Sequence, residues 1–180
     1  MTVSEKDDAP ITASRDIEPD RDLFAHSVTI ARSAGELYAF WRDPNNVALI
    51  VGPMASIVPL DGERVRWTVI GPNGTCASWV STISEDRPGR TIFWQSEQEG
   101  DVENGGRIDF LDTDMRGAVV RVTLAFTVSA KVLERFAPLN LGAMVRAHAR
   151  RILRGFKQMM EAREIATGAR HRRMANPQSQ

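Results

Sequence analysis

Between residues 139 and 166 the large apolar residues recur at helical spacing. Leu141, Met144, Val145, Ile152, Phe156, Met159 and Met160 share one stripe, and Arg146, Arg150, Arg154, Lys157 and Arg163 fall largely off it. The spacing predicts one long amphipathic helix, ~40 Å from end to end at ~1.5 Å per residue. A helix of this kind has little reason to stay folded alone and needs an apolar surface to lie on. His148 interrupts the oily stripe between Val145 and Ile152.

Upstream the period changes. Residues 23–31 suit a first strand, after which Ser33 and Glu36 have the spacing of a capping box. The helix 34–42 then sets Ala34, Leu37, Tyr38 and Trp41 on one side, and Asp43-Pro44 ends it. Pro44 opens a second short helix that runs through Ile50. Alternating strands are expected at 55–60, 64–70, 75–85, 90–97, 107–111 and 118–128. Turns at Asp61-Gly62, Gly71-Pro72-Asn73-Gly74 and Asp86-Arg87-Pro88-Gly89 separate them, and residues 99–106 read as a longer acidic loop. Connections this short favour antiparallel pairing. The expected domain is α+β: a strand, two short helices, a meander of about six strands, and the long helix covering the meander's apolar face.

Composition adds little to that picture. With 180 residues, 42% hydrophobic and 26% charged, the chain suits a single soluble domain that needs no staples. Cys76 stands alone, which leaves no disulfide framework and favours a reducing, cytoplasmic setting. No apolar signal segment or membrane span is present. Charge is balanced overall but unevenly placed. Residues 1–22 carry seven acids against three bases, whereas residues 146–173 carry nine Lys/Arg against Glu161 and Glu164. Residues 1–22 are expected to be a disordered acidic leader, 23–167 the folded domain, and 168–180 a polar tail. The basic helix face suits a solvated surface or an anionic partner.

Five stretches carry a resemblance: the strand around Val28–Ile30, then residues 34–44 (AGELYAFWRDP), 84–94 (SEDRPGRTIFW), 101–110 (DVENGGRIDF) and 154–161 (RGFKQMME). In this order they resemble the START-like helix-grip superfamily, in the branch of polyketide cyclase/dehydrase and coenzyme-Q-binding-like (SRPBCC) proteins. The resemblance implies a seven-stranded antiparallel sheet wrapped around the long C-terminal helix. It also implies an apolar cavity for a small hydrophobic molecule. It says little about chemistry, because such scaffolds host carriers and enzymes alike.

Candidate residues follow from that picture. Trp41, Trp67, Trp79 and Trp94 are core residues or an aromatic lining, joined in the second case by Met144, His148 and Ile152. His148, and after it Tyr38, are the proton-transfer groups if the protein is an enzyme. Leu49, Ile50 and Met54 on one side, and Phe136 and Leu139 on the other, either cover the end of the core or gate a cavity mouth. Arg107, Asp109 and Arg121 suit an exposed cross-strand charge ladder. No metal cluster, cofactor motif or nucleic-acid module is expected. The reading is a binder or carrier of a lipid, quinone or polyketide-like molecule. The alternatives are a cyclase/dehydratase-like enzyme and a module that touches a membrane or a protein. Oligomeric state is left open.

Overall fold

The computed structural model of the chain describes residues 22–53, 55–71, 74–115, 117–137 and 140–173, with side-chain surroundings from 23 to 162. The acidic leader up to Arg21, the last tail residues, Met54 and Leu139 lie outside the described residues. Seven strands form one antiparallel sheet in the order β1-β7-β6-β5-β4-β3-β2. They are β1 (Asp22–Ile30), β2 (Ala55–Pro59), β3 (Arg64–Ile70), β4 (Cys76–Arg87), β5 (Thr91–Ser96), β6 (Val102–Asp112) and β7 (Ala118–Val128). Helices α1 (Ala34–Arg42) and α2 (Pro44–Ala48) follow β1, and α3 (Ala130–Phe136) and α4 (Leu141–Arg173) close the chain.

Local chemistry sets the first helices. The capping box forms as its spacing predicts: Ser33 Oγ accepts from the Glu36 amide at 3.3 Å, and Glu36 accepts from the Ser33 amide at 3.1 Å. Asp43 caps α2 by accepting from the Asn45 amide, with Pro44 in the first turn. A longer-range bond places α1 on the sheet, because the Ala34 amide donates to Asp112 Oδ1 at 2.7 Å. Phe40, unremarked in the sequence pattern, is buried with Ala34 and Leu37, while Tyr38 and Trp41 are half-buried.

Alternation decides which side of each strand meets α4. Phe24, Val28 and Ile30 of β1, Ile108 and Phe110 of β6, and Val120, Val122 and Phe126 of β7 are buried on the inner face. From α4 the buried residues are Ile152, Leu153, Phe156 and Met160. The C-terminal half of the helix is pinned beside the end of β1. There the Ala31 amide donates to Glu161 Oε1 (3.2 Å) and Arg32 Nε donates to the Met160 carbonyl (3.1 Å).

Three expectations need correction. Residues 102–106 belong to β6, so the expected acidic loop is shorter than its composition suggested. Residues 130–136, for which no element was expected, form the separate helix α3, with Val132 and Phe136 buried. The long helix expected over 139–166 also runs further, since α4 continues to Arg173. The charge ladder also differs. Asp109 and Arg121 do face each other across β6 and β7, yet Asp109 Oδ2 and Arg121 Nε are buried and not exposed. Thr91, opposite Asp109 on β5, donates to Asp109 Oδ1 at 2.9 Å and helps cover it.

Candidate site between the long helix and the sheet

The buried apolar residues form two clusters. The larger joins α1, α2, β1, β6, β7 and the later turns of α4, and includes Phe40, Phe110 and Phe156. The smaller gathers Ala77, Val102, Phe126, Val132 and Phe136 around α3. Leu124 touches both. Along α4, Val145 packs on the smaller cluster and Ala149 and Ile152 on the larger. His148 therefore sits at the junction, on the stripe that faces the sheet.

The imidazole is half-buried, and its Nε2 is buried with no hydrogen-bond partner. Burial pushes the His148 pKa below its usual range, and the nearby Arg151 charge pushes the same way. The ring is thus neutral near pH 7 and can either donate or accept through Nε2. In the unfolded chain the ring takes up its proton near its ordinary value, ~6.5, earlier than in the folded one as the pH falls. Its contribution to stability is therefore present above that value and is lost as the pH falls below it. Urea midpoints should fall more between about pH 7.5 and 5.5 for the native chain than for His148→Gln. Equal slopes would show that His148 is not the group responsible.

Opposite the helix, the inner face carries most of the aromatic area. Trp67 and Trp79 are partners in the β3–β4 register and lie stacked, with ring centroids 6.1 Å apart and planes 3° from parallel. Trp94 on β5 pairs with Gly106 on β6, and its indole lies across that glycine: a Cβ there would meet Trp94 Cζ2 at 2.6 Å. All three tryptophans remain partly exposed. Trp41 is different, because it meets Phe156 edge-on at 5.3 Å and forms part of the core around α1.

Polar groups interrupt this lining. Ser81 pairs with Ser96 across β4 and β5, and Ser96 Oγ accepts from the Asn104 amide at 2.9 Å. Ser81 and Asn104 are buried. Sequence reasoning missed this row, since small polar residues in strands ordinarily read as the outer face. It also passed over His26, which lies beside Phe24 on the inner face of β1.

The other expected site residues separate. Tyr38 donates its hydroxyl to Asp86 Oδ1 at 2.7 Å, and Arg42 Nε donates to Asp86 Oδ2 at 2.7 Å. Burial and the Asp86 bond raise the Tyr38 pKa, so the phenol keeps its proton and is already engaged. Met144 and Ile152 share the stripe with His148, Met144 half-buried and Ile152 buried. Among the expected gate residues, Leu49 is 60% exposed, whereas Ile50 (7%) and Phe136 (2%) are packed into the two clusters. Gly155 of α4 lies against Ile50, and Gly71 lies under the Phe136 ring. Among the described residues no group of His, Cys, Asp or Glu could hold a metal ion. None of the described helices is long and apolar enough to cross a membrane.

Residues 30–161 match the family model described as polyketide cyclase / dehydrase and lipid transport. The chain belongs to this family. Its fold is the helix-grip arrangement, which it shares with DR_A0006 of Deinococcus radiodurans. That protein is 31% identical with a TM-score of 0.59, over 78% of this chain and 98% of that one. A conserved protein of Geobacillus kaustophilus has the same fold at 14% identity and a TM-score of 0.63, over 76% and 93% of the two chains. The di-domain ARO/CYC StfQ from the steffimycin biosynthetic pathway also has it, at 15% identity and a TM-score of 0.58. There 80% of this chain matches 52% of that one. No functionally curated protein matches the chain.

Proposed function

We propose that this family member binds a hydrophobic small molecule, of the lipid, quinone or polyketide-like kind, between α4 and the inner face of the sheet. One observation carries the reading: His148 Nε2 is buried and unpartnered on the sheet-facing stripe of α4. A buried polar group without a partner costs roughly 1–3 kcal/mol, which a ligand that hydrogen-bonds to it would recover. The partly exposed Trp67, Trp79 and Trp94 supply apolar area, and Ser81, Ser96 and Asn104 a few polar groups. Binding sites have this mixture. Native mass spectrometry and organic extraction of the purified protein should reveal a bound apolar molecule. His148→Leu should hold it about tenfold less tightly while remaining folded. A native chain that retains and takes up no apolar molecule would sink the proposal.

A cyclase/dehydratase-like enzyme is the second reading. It is favoured by the lowered basicity of His148, which keeps the ring available as a base near neutral pH. Tyr38 is a poor partner in this role, since its hydroxyl already donates to Asp86. The two readings differ in what is recovered, because a carrier returns its ligand chemically unchanged. Peripheral membrane contact and a cytoplasmic location fit either one. Leu49 is exposed, its neighbour Ile50 lies against Gly155 of α4, and Arg151 and Arg154 are exposed on that helix, which supports the membrane contact. Flotation with anionic liposomes should carry the protein upward, and equal flotation with neutral liposomes would remove the role given to the arginines.

A further inference from the structure

The two buried clusters meet along a break, and the residues at that break are polar on both walls. On β4 the inner face runs Ala77, Trp79, Ser81, Ile83, with Trp79 against the smaller cluster and Ile83 against the larger. On β6 it runs Val102, Asn104, Gly106, Ile108, with Val102 in the smaller cluster and Ile108 in the larger. Ser96 of β5 joins the two, since it pairs with Ser81 and its Oγ accepts from the Asn104 amide. Ser81, Ser96 and Asn104 thus cross three strands at one level. On α4 the same break falls between Val145 and Ala149, and His148 stands there.

Polar residues at one level of an apolar face cost stability unless they are well bonded. Asn104 is 9% exposed, yet its Nδ2 reaches the Val102 carbonyl at 3.5 Å, longer than the usual N–H···O bond. The opposite wall has the same want, because His148 Nε2 is buried and without a partner. Aromatic area brackets the row. Since β4 and β5 are antiparallel, Trp79, two residues before Ser81, and Trp94, two residues before Ser96, lie on opposite sides of it. Trp67 extends the first side by stacking on Trp79.

These features select among ligands. An acyl chain threaded from one cluster to the other would lay methylenes against Asn104 and His148 and satisfy neither. A flat ring system set across the break turns its faces to the indoles and its two ends to the two walls. We infer that Ser81, Ser96 and Asn104 form a second polar subsite opposite His148, and that the ligand is a planar ring system with a hydroxyl or carbonyl oxygen at each of two opposite ends. The inference rests on the binding role proposed above and narrows it. Asn104 Nδ2 donates to one oxygen, and His148 Nε2 bonds the other as donor or acceptor according to its tautomer.

Calorimetric titration with naphthalene, a naphthol with one hydroxyl, and a dihydroxynaphthalene with hydroxyls at opposite ends is the test. In the native chain the second hydroxyl should tighten binding about tenfold over the naphthol, because it recovers a bond to a buried group. Asn104→Leu should abolish that gain and leave the naphthol within about twofold, since one hydroxyl can still bond to His148. Adding His148→Leu should bring all three probes to the affinity of naphthalene. Decanol, a chain with as many carbons and one polar end, should bind no worse in Asn104→Leu than in the native chain. If Asn104→Leu does not fold, Ser81→Ala, the milder change, should cut the gain to about threefold. Naphthalene binding with no gain from the second hydroxyl, a gain that survives these variants, or decanol weakened as much as the dihydroxynaphthalene overturns the inference and leaves the apolar binding role standing. Binding of none of the four probes overturns both.

Discussion

Replacing Phe156 with alanine is expected to cost about 3–5 kcal/mol of folding stability, read as a lower denaturant midpoint with little change in slope. Phe156 is fully buried, and its ring lies 5.1 Å from Phe40 and 5.3 Å from Trp41. Both neighbours belong to α1, so the side chain is the wedge that holds the first helix against the last. Truncation removes the transfer energy of a benzyl group and leaves a void that neighbouring rings fill only in part. The nearby backbone gives little relief, because Gly155 already lies against Ile50. A loss below about 1 kcal/mol would mean that α1 and α4 collapse onto each other freely, contrary to the packing described. This variant also separates fold from site. Phe156 is two helical turns beyond His148, and its loss should lower stability far more than affinity per folded molecule.

Those same contacts show what a sequence can and cannot reveal. The α4 stripe was legible because apolar residues at helical spacing leave few other solutions, and the capping box because its two side chains act within one turn. The start of β6 was not. Asn104, Gly105 and Gly106 have poor strand propensity, and only pairing with β5 and β7 on both sides overrides it. Arg121 followed the alternation and faces away from the core, yet its Nε is still buried, because burial on an outer face depends on neighbouring strands. For the candidate site, the pattern found His148 as a polar residue on an oily stripe. It could not show that Nε2 lacks a partner or that Tyr38 has one in Asp86. Both facts depend on residues distant in the chain.

The second large effect follows from one of those unreadable contacts. Gly106→Ala should destabilise the fold by about 1–3 kcal/mol and displace the Trp94 indole. A Cβ at this position would meet the Thr123 carbonyl oxygen at 2.5 Å and Trp94 Cζ2 at 2.6 Å. The first neighbour is backbone, held in the β6–β7 ladder, so it yields only by local distortion of the sheet. The second is a side chain that is partly exposed on the inner face, and it can swing away. Its movement would carry aromatic area off β6 and towards the space facing α4, and so change the shape of the proposed binding site. The indole N–H resonance of Trp94, assigned by its loss in Trp94→Phe, should therefore shift together with the stability midpoint. Affinity for whatever apolar molecule the native chain retains should change in the same variant. An unshifted indole with an unchanged midpoint would show that Trp94 does not rest on Gly106. If the indole shifts and affinity stays the same, Trp94 serves the core and the ligand is held by the Trp67–Trp79 stack and His148.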